Sequence, residues 1–443
     1  MSQVDSLMPS TEEIGGTAPQ FNSSGISDAQ TQSPKGIYAK TATGLLAVIL
    51  LSYLVVGFPD GAFTVSWLGM AADDPTMTTA HTGIILLGYS ATYTLAGILL
   101  GRLNQRLKLQ MLYFIGLMIM ATGFIALALS PTFVWKVISI AIYGLGTGLM
   151  AASMNSYMAK HFTAKHNNWM HFFWGVGAAI SPLIMGQAMD AFGWREGYFI
   201  ITGILVVVMV VLAWSMGRKM WLEDADDAIS GPTATAARPY LTRRRHQVIE
   251  VMTFFFLGGT DYTIVFFTGA ALIARGHYPG DVFIYSTVYY AFMTIGRLVA
   301  GSITRWFHEN TIIRATIGIT LIGIGVLYLT GSVIGMAITG LGLAPLLPTL
   351  VSDSSHRFAP AILPKVVGWE LAAFGAGIAA LFFLTSQILH FISYEALFPL
   401  AAFFAIAVFV CNEILEREMR RHGILREEET TPVARPEKNF VTS

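Results

Sequence analysis

The chain has 443 residues, of which 54% are hydrophobic and only 12% are charged, and its formal net charge at pH 7 is zero. Soluble domains carry about 25% charged residues, so this composition excludes an ordinary soluble protein. The single cysteine, Cys411, excludes an intrachain disulfide.

The first 40 residues are polar and rich in Ser, Thr, Gln and Gly. Such a segment cannot bury enough apolar surface to fold, so we expect a disordered cytoplasmic tail at 1–40. The segment contains no apolar core, and we therefore expect no cleavable signal peptide.

Twelve apolar runs of about 20 residues follow the tail. Each run is long enough to cross a hydrocarbon layer of ~30 Å, and because unpaired backbone groups cannot face lipid, each run predicts a helix. The runs cover 43–68, 80–102, 109–130, 133–158, 169–191, 197–217, 247–273, 282–304, 311–330, 333–351, 366–388 and 394–415. The sequence thus predicts an all-α membrane protein with twelve transmembrane helices.

The basic residues predict the orientation. If the N-terminus is cytoplasmic, the loops on the outer side contain only Lys136, Arg195 and Arg275 of the 27 lysines and arginines, and Arg297 falls within a span. By the positive-inside rule, we expect both termini to face the cytoplasm. We expect the membrane to be the plasma membrane of the cell. The RRR run at 243–245 fits a lipid-headgroup anchor better than a nucleic-acid site.

A repeat of about 200 residues relates the two halves of the chain. "VVGFPDGAFTVSW" (55–67) and "FFLGGTDYTIVFF" (255–267) each contain one aspartate, Asp60 or Asp261, and "GYSATYTLAGILLGRL" (88–103) aligns with "VYYAFMTIGRLVAGSI" (288–303). The period spans six helices, which predicts two pseudo-symmetric bundles of equal orientation with a site between them. We expect bundles at 41–217 and 247–415, a cytoplasmic linker at 218–246 and a charged tail at 416–443.

Both aspartates lie deep in apolar runs. A carboxylate there costs at least ~2.5–3.5 kcal/mol unless it faces a wet cavity or carries a proton, so we expect Asp60 and Asp261 to bind protons. The alternative is a polar contact that holds helices together or pairs with an arginine. Glu370, five residues after Lys365, is a third candidate: a second proton site, a gate residue or a solvated interfacial acid.

The sequence resembles the major facilitator superfamily. "GRLNQRLKLQ" (101–110) is similar to the loop that follows the family's second helix and keeps Gly101 and Arg106, although Gln105 replaces the family's acid. "IGRLVAGSITRWF" (295–307) resembles the second copy of that loop and contains Gly301. The resemblance implies gating roles for these residues and for Arg297, which braces the cytoplasmic gate in the family or, alternatively, contacts the substrate.

Further motifs resemble the fucose-permease branch: "HFFWGVGAAISPLI" (171–184), "GWREGYFI" (193–200) and "GLGLAPLLPTL" (340–350). This resemblance implies that Asp60 takes up the coupling proton and that Asn155 belongs to the substrate site, whereas Ala151 replaces the branch's glutamate. Sugar sites also use aromatic faces, so the substrate-binding candidates are Phe63, Trp67, Tyr89, Asn155, Trp174, Tyr289 and Trp369.

The predicted function is proton-coupled secondary transport of a small polar solute, most simply a sugar, by a monomer that needs no cofactor or metal. No phosphate loop, metal-spaced cluster or nucleophile–base pair is visible, so we expect neither an enzyme nor a nucleic-acid partner. Two alternatives stay open. "GAAISPLIMG" (177–186) is weakly similar to an antiporter element, which favours a proton-driven exporter of drugs or metabolites, and a receptor or channel would not require the repeat.

Overall fold

A computed structural model describes residues 37–74, 76–162, 164–222, 240–303, 307–359 and 362–424. The described residues from Leu45 onward belong to one compact unit, and the beginning of the first helix, up to Gly44, is grouped apart from it. Most of the predicted N-terminal tail, residues 223–239 of the predicted linker and residues 425–443 lie outside the described residues.

The described residues form helices and contain no strand. In chain order the helices are α1 (Ile37–Val56), α2 (Phe58–Asp73), α3 (Thr79–Leu103), α4 (Leu109–Ala128), α5 (Phe133–His161), α6 (Ala164–Ala191), α7 (Trp194–Gly217), α8 (Arg244–Ala274), α9 (Phe283–Ile303), α10 (Glu309–Thr330), α11 (Val333–Leu343), α12 (Leu346–Arg357), α13 (Leu363–Phe391) and α14 (Leu397–Arg421). Twelve segments are long and apolar enough to cross a membrane, which confirms the predicted spans.

Two of the predicted spans are each made of two helices. The first span divides into α1 and α2 at Gly57, and the tenth divides into α11 and α12 around Pro345. Pro59 lies in the first turn of α2, where its missing N–H costs no helical hydrogen bond. Asp60 also lies in that first turn, so the positive end of the helix dipole points toward its carboxyl group.

Matching glycines bring helices into close contact in both halves. A Cβ added to Gly177 of α6 would lie 1.8 Å from the carbonyl oxygen of Leu54, and a Cβ added to Gly377 of α13 would lie 1.8 Å from the carbonyl oxygen of Phe255. No side chain fits at such distances. The repeat therefore uses glycine at equivalent positions to pack the first span on the fifth and the seventh on the eleventh.

We call the end at which α3, α5, α7 and α9 begin the distal face, and the end at which they finish the proximal face. At the distal face α3 of the first half packs against α13 of the second. The amide of Gln387 donates to the carbonyl oxygen of Ala80 at 3.1 Å, and a Cβ on Gly83 would lie 2.2 Å from the Ser386 hydroxyl oxygen. These contacts join the two halves at the distal face.

The same two helices lack such contacts closer to the proximal face. A Cβ added to Gly97 or Gly101 of α3, or to Gly368 or Gly375 of α13, would meet no atom within 4 Å. The helices α3 and α13 thus touch near the distal face and leave free space at these four glycines.

Candidate functional site

A small cavity lies between the two halves of the compact unit. The first half contributes residues of α2, α3 and α5, and the second half contributes residues of α8 and α9. Its polar lining groups are Asp60, Thr64, Tyr89, Tyr143, Tyr262 and Tyr290, and the other lining residues are Pro59, Phe63, Leu86, Ile140, Val265 and Phe266. About 30 Å³ is open to the centres of water molecules, room for a few waters, so a hexose would fit only after the halves move apart.

Asp60 is the only carboxyl group among the residues that line this cavity. It is half-buried, and its Oδ2 atom accepts a hydrogen bond of 3.0 Å from the indole N–H of Trp174 on α6. Its position in the first turn of α2 adds the helix dipole to this hydrogen bond. One fixed donor and access to the cavity leave room for a proton or a solute group at the other oxygen.

Asp261 lies on α8 close enough for its charge to interact with that of Asp60. The hydroxyl group of Tyr289 donates a short hydrogen bond to its Oδ1 atom, and the charge of Arg297 on α9 also acts on it. The guanidinium group of Arg297 lies 5.3 Å from the centre of the Trp174 ring. Trp174 therefore connects the two aspartates, one through its N–H and the other through Arg297.

The structure places several predicted residues at or beside the cavity. Asp60, Phe63 and Tyr89 line it, and Trp174 and Tyr289 contact the two aspartates. Trp67 is one layer further out, because it is buried and its ring stacks on Phe266 at 5.4 Å. Trp67 thus supports the wall of the cavity and is not part of its lining.

Two predicted substrate residues lie elsewhere. Trp369 is 41% exposed, and the ammonium group of Lys365 lies 4.8 Å from its ring centre, so Trp369 occupies an outer face of α13. The amide of Asn155 donates to the carbonyl oxygen of Ala151 in its own helix, and Asn155 does not line the cavity. Neither side chain lines the cavity, and their place in the substrate site stays a prediction.

Sequence reasoning missed three tyrosines of the lining. Tyr262 directly follows Asp261, Tyr290 directly follows Tyr289, and Tyr143 stacks on Tyr89 with ring centres 5.1 Å apart. Because Tyr262 and Tyr290 are next in sequence to the predicted residues Asp261 and Tyr289, the sequence could have indicated them. The tyrosines make the cavity largely aromatic, with hydroxyl groups as its main hydrogen-bonding partners.

The predicted gating residues lie toward the proximal face. Gly101 is exposed two residues before the end of α3, and Arg106 is exposed in the turn that follows. Gly301 lies near the end of α9, and its surroundings are outside the described contacts. Glu370 is buried and does not line the cavity; it contacts Ser354 instead.

Twelve spans in two repeated halves, with one carboxyl group at a cavity that both halves line, define a membrane transport protein and not an enzyme. The chain belongs to the Major Facilitator Superfamily, whose family model matches residues 49–361. In a search of solved structures the D-xylose-proton symporter matched with a TM-score of 0.65 at 13% identity, covering 83% of this chain and 97% of that one. At this identity the match supports the fold alone.

Two curated relatives carry different substrate names. The methyl viologen resistance protein SmvA of Salmonella typhimurium is 28% identical over 188 residues, which are 40% of this chain and 37% of the relative. The glucose/mannose transporter GlcP of Bacillus subtilis is 22% identical over 286 residues, 58% of this chain and 71% of the relative. The match to SmvA spans well under half of that protein.

Trp174 offers a direct test of the site. Replacing Trp174 by alanine removes the donor to Asp60 and the ring under Arg297, and we expect solute affinity to fall by about 1–3 kcal/mol, the scale of a buried contact residue. The measurement is the solute concentration that gives half-maximal counterflow in vesicles. Trp169→Ala is the matched control, because Trp169 is an exposed tryptophan of the same helix. Equal affinities in both variants would contradict the assignment.

Proposed function

We propose that the protein is a proton-coupled secondary transporter that moves a small polar solute, most simply a sugar, by alternating access. The carrying observation is the carboxyl group of Asp60, held by Trp174 at the edge of a cavity to which both halves contribute. A proton on Asp60 removes a charge and supplies a hydrogen-bond donor to a sugar hydroxyl. The name of the relative GlcP supports a sugar as the solute. Membership of the fucose-permease branch is part of the same proposal.

Alternating access is supported by the unequal faces. The distal contacts between α3 and α13 would have to separate, and the free space near Gly97 and Gly375 would have to close, for the cavity to change sides. Asp60 would then exchange protons with one compartment at a time. Proton binding and solute binding at one cavity couple the two movements.

A second candidate function is the proton-driven export of organic cations. The cavity is lined by six aromatic rings and one carboxyl group, without an amide, and aromatic faces with a nearby carboxylate attract organic cations. The name of SmvA points in the same direction. In an exporter, the cation and the proton would compete for Asp60.

One experiment separates the two candidates. Purified protein in proteoliposomes is given an imposed pH gradient, and the accumulation of labelled glucose is compared with that of labelled methyl viologen. A sugar symporter accumulates glucose when protons run in with it, whereas an exporter accumulates methyl viologen when protons run out. If Asp60 is not needed for the accumulation of either compound, or if neither compound accumulates, both candidates are contradicted.

The orientation is a further proposal: the proximal face is cytoplasmic. The three basic residues near the distal face all have acidic partners, in the ion pairs Lys136–Asp74, Arg195–Asp73 and Arg275–Glu395. The hydrogen bond from the Thr76 hydroxyl lowers the pKa of Asp74, and the charge of Lys136 lowers it further, so that the Asp74 carboxylate stays charged at neutral pH. The distal face therefore presents little unpaired positive charge, as the positive-inside rule asks of an outer face.

Single cysteines in a Cys411→Ser background test this orientation. Tyr278 and Phe192 are exposed near the distal face, and Asn104 is exposed near the proximal face. In whole cells we expect a membrane-impermeant thiol reagent to label Tyr278→Cys and Phe192→Cys but not Asn104→Cys. Labelling of Asn104→Cys from outside would reverse the orientation. Trp194 is unsuitable for a label, because it is buried and donates to Asp73.

A further inference from the structure

A second group of buried charges lies at the proximal ends of four helices, away from the cavity. Its centre is Arg357 of α12, which is fully buried. Four buried carboxyl groups surround it: Glu250 of α8, Asp353 of α12, Glu370 of α13 and Glu416 of α14. None of these residues lines the cavity, and Glu250 precedes Asp261 by eleven residues, about 16 Å of helix.

Arg357 directly contacts three of these carboxyl groups. Its Nη1 atom donates to both oxygens of Glu250, at 3.0 and 2.8 Å, and its Nη2 atom lies 2.5 Å from Asp353 and 3.4 Å from Glu416. Nη2 also donates to the side-chain oxygen of Asn412 at 2.6 Å. Glu370 has no direct contact with the guanidinium group among these interactions.

Glu370 is held through Ser354 instead. The Ser354 hydroxyl oxygen lies 2.7 Å from Oε1 of Glu370, 3.2 Å from Oε1 of Glu250 and 3.1 Å from the carbonyl oxygen of Leu350. The other oxygen of Glu370, Oε2, is buried and has no hydrogen-bond partner among the described residues. A serine hydroxyl has one hydrogen and faces three acceptors here, so a second hydrogen is required to satisfy the group.

Charge balance leads to the same requirement. The guanidinium group of Arg357 donates two hydrogen bonds to Glu250, and such bonds favour the carboxylate form. An ionised Glu370 would add a buried charge that has no direct contact with the guanidinium group, and a buried charge without its own partner is strongly destabilising. Among the described residues, two further titratable groups act on the cluster: the Cys411 thiol of α14 interacts with Glu250, and the Arg314 guanidinium group of α10 interacts with Glu416. Lys365 is exposed at the start of α13 and turned toward Trp369.

We propose that Glu370, Ser354 and Glu250 form a second proton-binding site, in which Glu370 carries the proton at neutral pH. The O–H of Glu370 donates a hydrogen bond to the Ser354 hydroxyl oxygen, and the Ser354 O–H donates a hydrogen bond to Glu250. The site joins α8, α12 and α13 near the proximal face. Glu370 is five residues after the exposed Lys365, about 7.5 Å of helix, and next to the exposed Trp369, so the proximal compartment is the source of its proton. Loss of that proton would drive α13 away from α8 and α12.

Infrared difference spectroscopy of the full-length protein in lipid tests the proposal without any solute. A protonated carboxyl group has a carbonyl stretching band that a carboxylate lacks. We expect one such band of the unmodified protein at neutral pH to be absent from Glu370→Gln and still present in Asp60→Asn. Glu413→Gln is the matched control, because Glu413 pairs with Arg314 through two hydrogen bonds, and this substitution should remove no such band.

The outcomes are exclusive. If Glu370→Gln folds and retains every protonated-carboxyl band, Glu370 is ionised and the proposal is overturned. If that variant does not fold, Ser354→Ala decides the question: the Glu370 band should shift because its hydrogen-bond partner is lost, and an unchanged spectrum overturns the proposal. Neither result depends on solute transport, so the proposed function stands or falls separately.

Discussion

Replacing Asp60 by asparagine is expected to abolish uptake driven by a pH gradient and to leave solute exchange intact. The amide has the shape of a protonated carboxyl group and can still accept the hydrogen bond from Trp174. It cannot release a proton, so the cycle of net uptake cannot be completed. Exchange of solute for solute requires no proton release and should continue near its normal rate.

The measurement is gradient-driven uptake and counterflow of the same labelled solute in the same vesicles. Asp261→Asn should change solute affinity or its dependence on pH, because Asp261 has its own partners, Tyr289 and Arg297, beside the cavity. Asp281→Asn is the control, since Asp281 is an exposed acid near the distal face. Normal pH-driven accumulation by Asp60→Asn would remove Asp60 as the carrier and leave Asp261 as the candidate.

A disulfide across the distal contact is expected to stop transport reversibly. The Cβ position of residue 83 lies 2.2 Å from the Ser386 hydroxyl oxygen, which is itself bonded to the Ser386 Cβ, so the two Cβ atoms are near the short end of the ~3.5–4.5 Å that a disulfide spans. Gly83→Cys with Ser386→Cys should cross-link under mild oxidation and keep the distal side closed. Transport should fall to the level of empty vesicles and return when the disulfide is reduced.

The two single-cysteine variants, made like the double variant in the Cys411→Ser background, are the controls. Each should transport under oxidising and reducing conditions alike, apart from any fixed effect of the added side chain at position 83. Full transport by a cross-linked double variant, with cross-linking verified by mass spectrometry, would show that the α3–α13 contact does not open during the cycle. That result would count against alternating access between these halves.

The number and approximate positions of the spans could be predicted because a bilayer imposes both length and apolar composition on a helix. The division of the first span at Gly57 was not predicted, since the run from 43 to 68 stays apolar across it. A glycine followed two residues later by proline was the available signal. The division matters for the site, because it places Asp60 in the first turn of a new helix.

The cavity was predicted only in part because helix rotation decides which side chains face it. Neighbouring residues in a helix point about 100° apart, and the sequence does not state the rotation of each helix. Of the predicted site residues, Asp60, Phe63 and Tyr89 line the cavity, whereas Trp369 is exposed and its neighbour Glu370 is buried. The charges around Arg357 were missed because the tenth span was expected to end at 351, which left Arg357 in a loop.

The repeat makes one further comparison possible, between Gly175 and Gly375. A Cβ on Gly175 of α6 would lie 2.2 Å from the Thr294 hydroxyl oxygen of α9, in the opposite half. The same position in the other copy, Gly375 of α13, meets nothing within 4 Å, although the counterpart of Thr294 is again a threonine, Thr94 of α3. The packing at these two equivalent positions is therefore unequal: α6 is in close contact with α9 at Gly175, whereas no atom lies close to the Cβ position of Gly375. Free space at this depth therefore lies beside Gly375 of α13 and not beside Gly175 of α6.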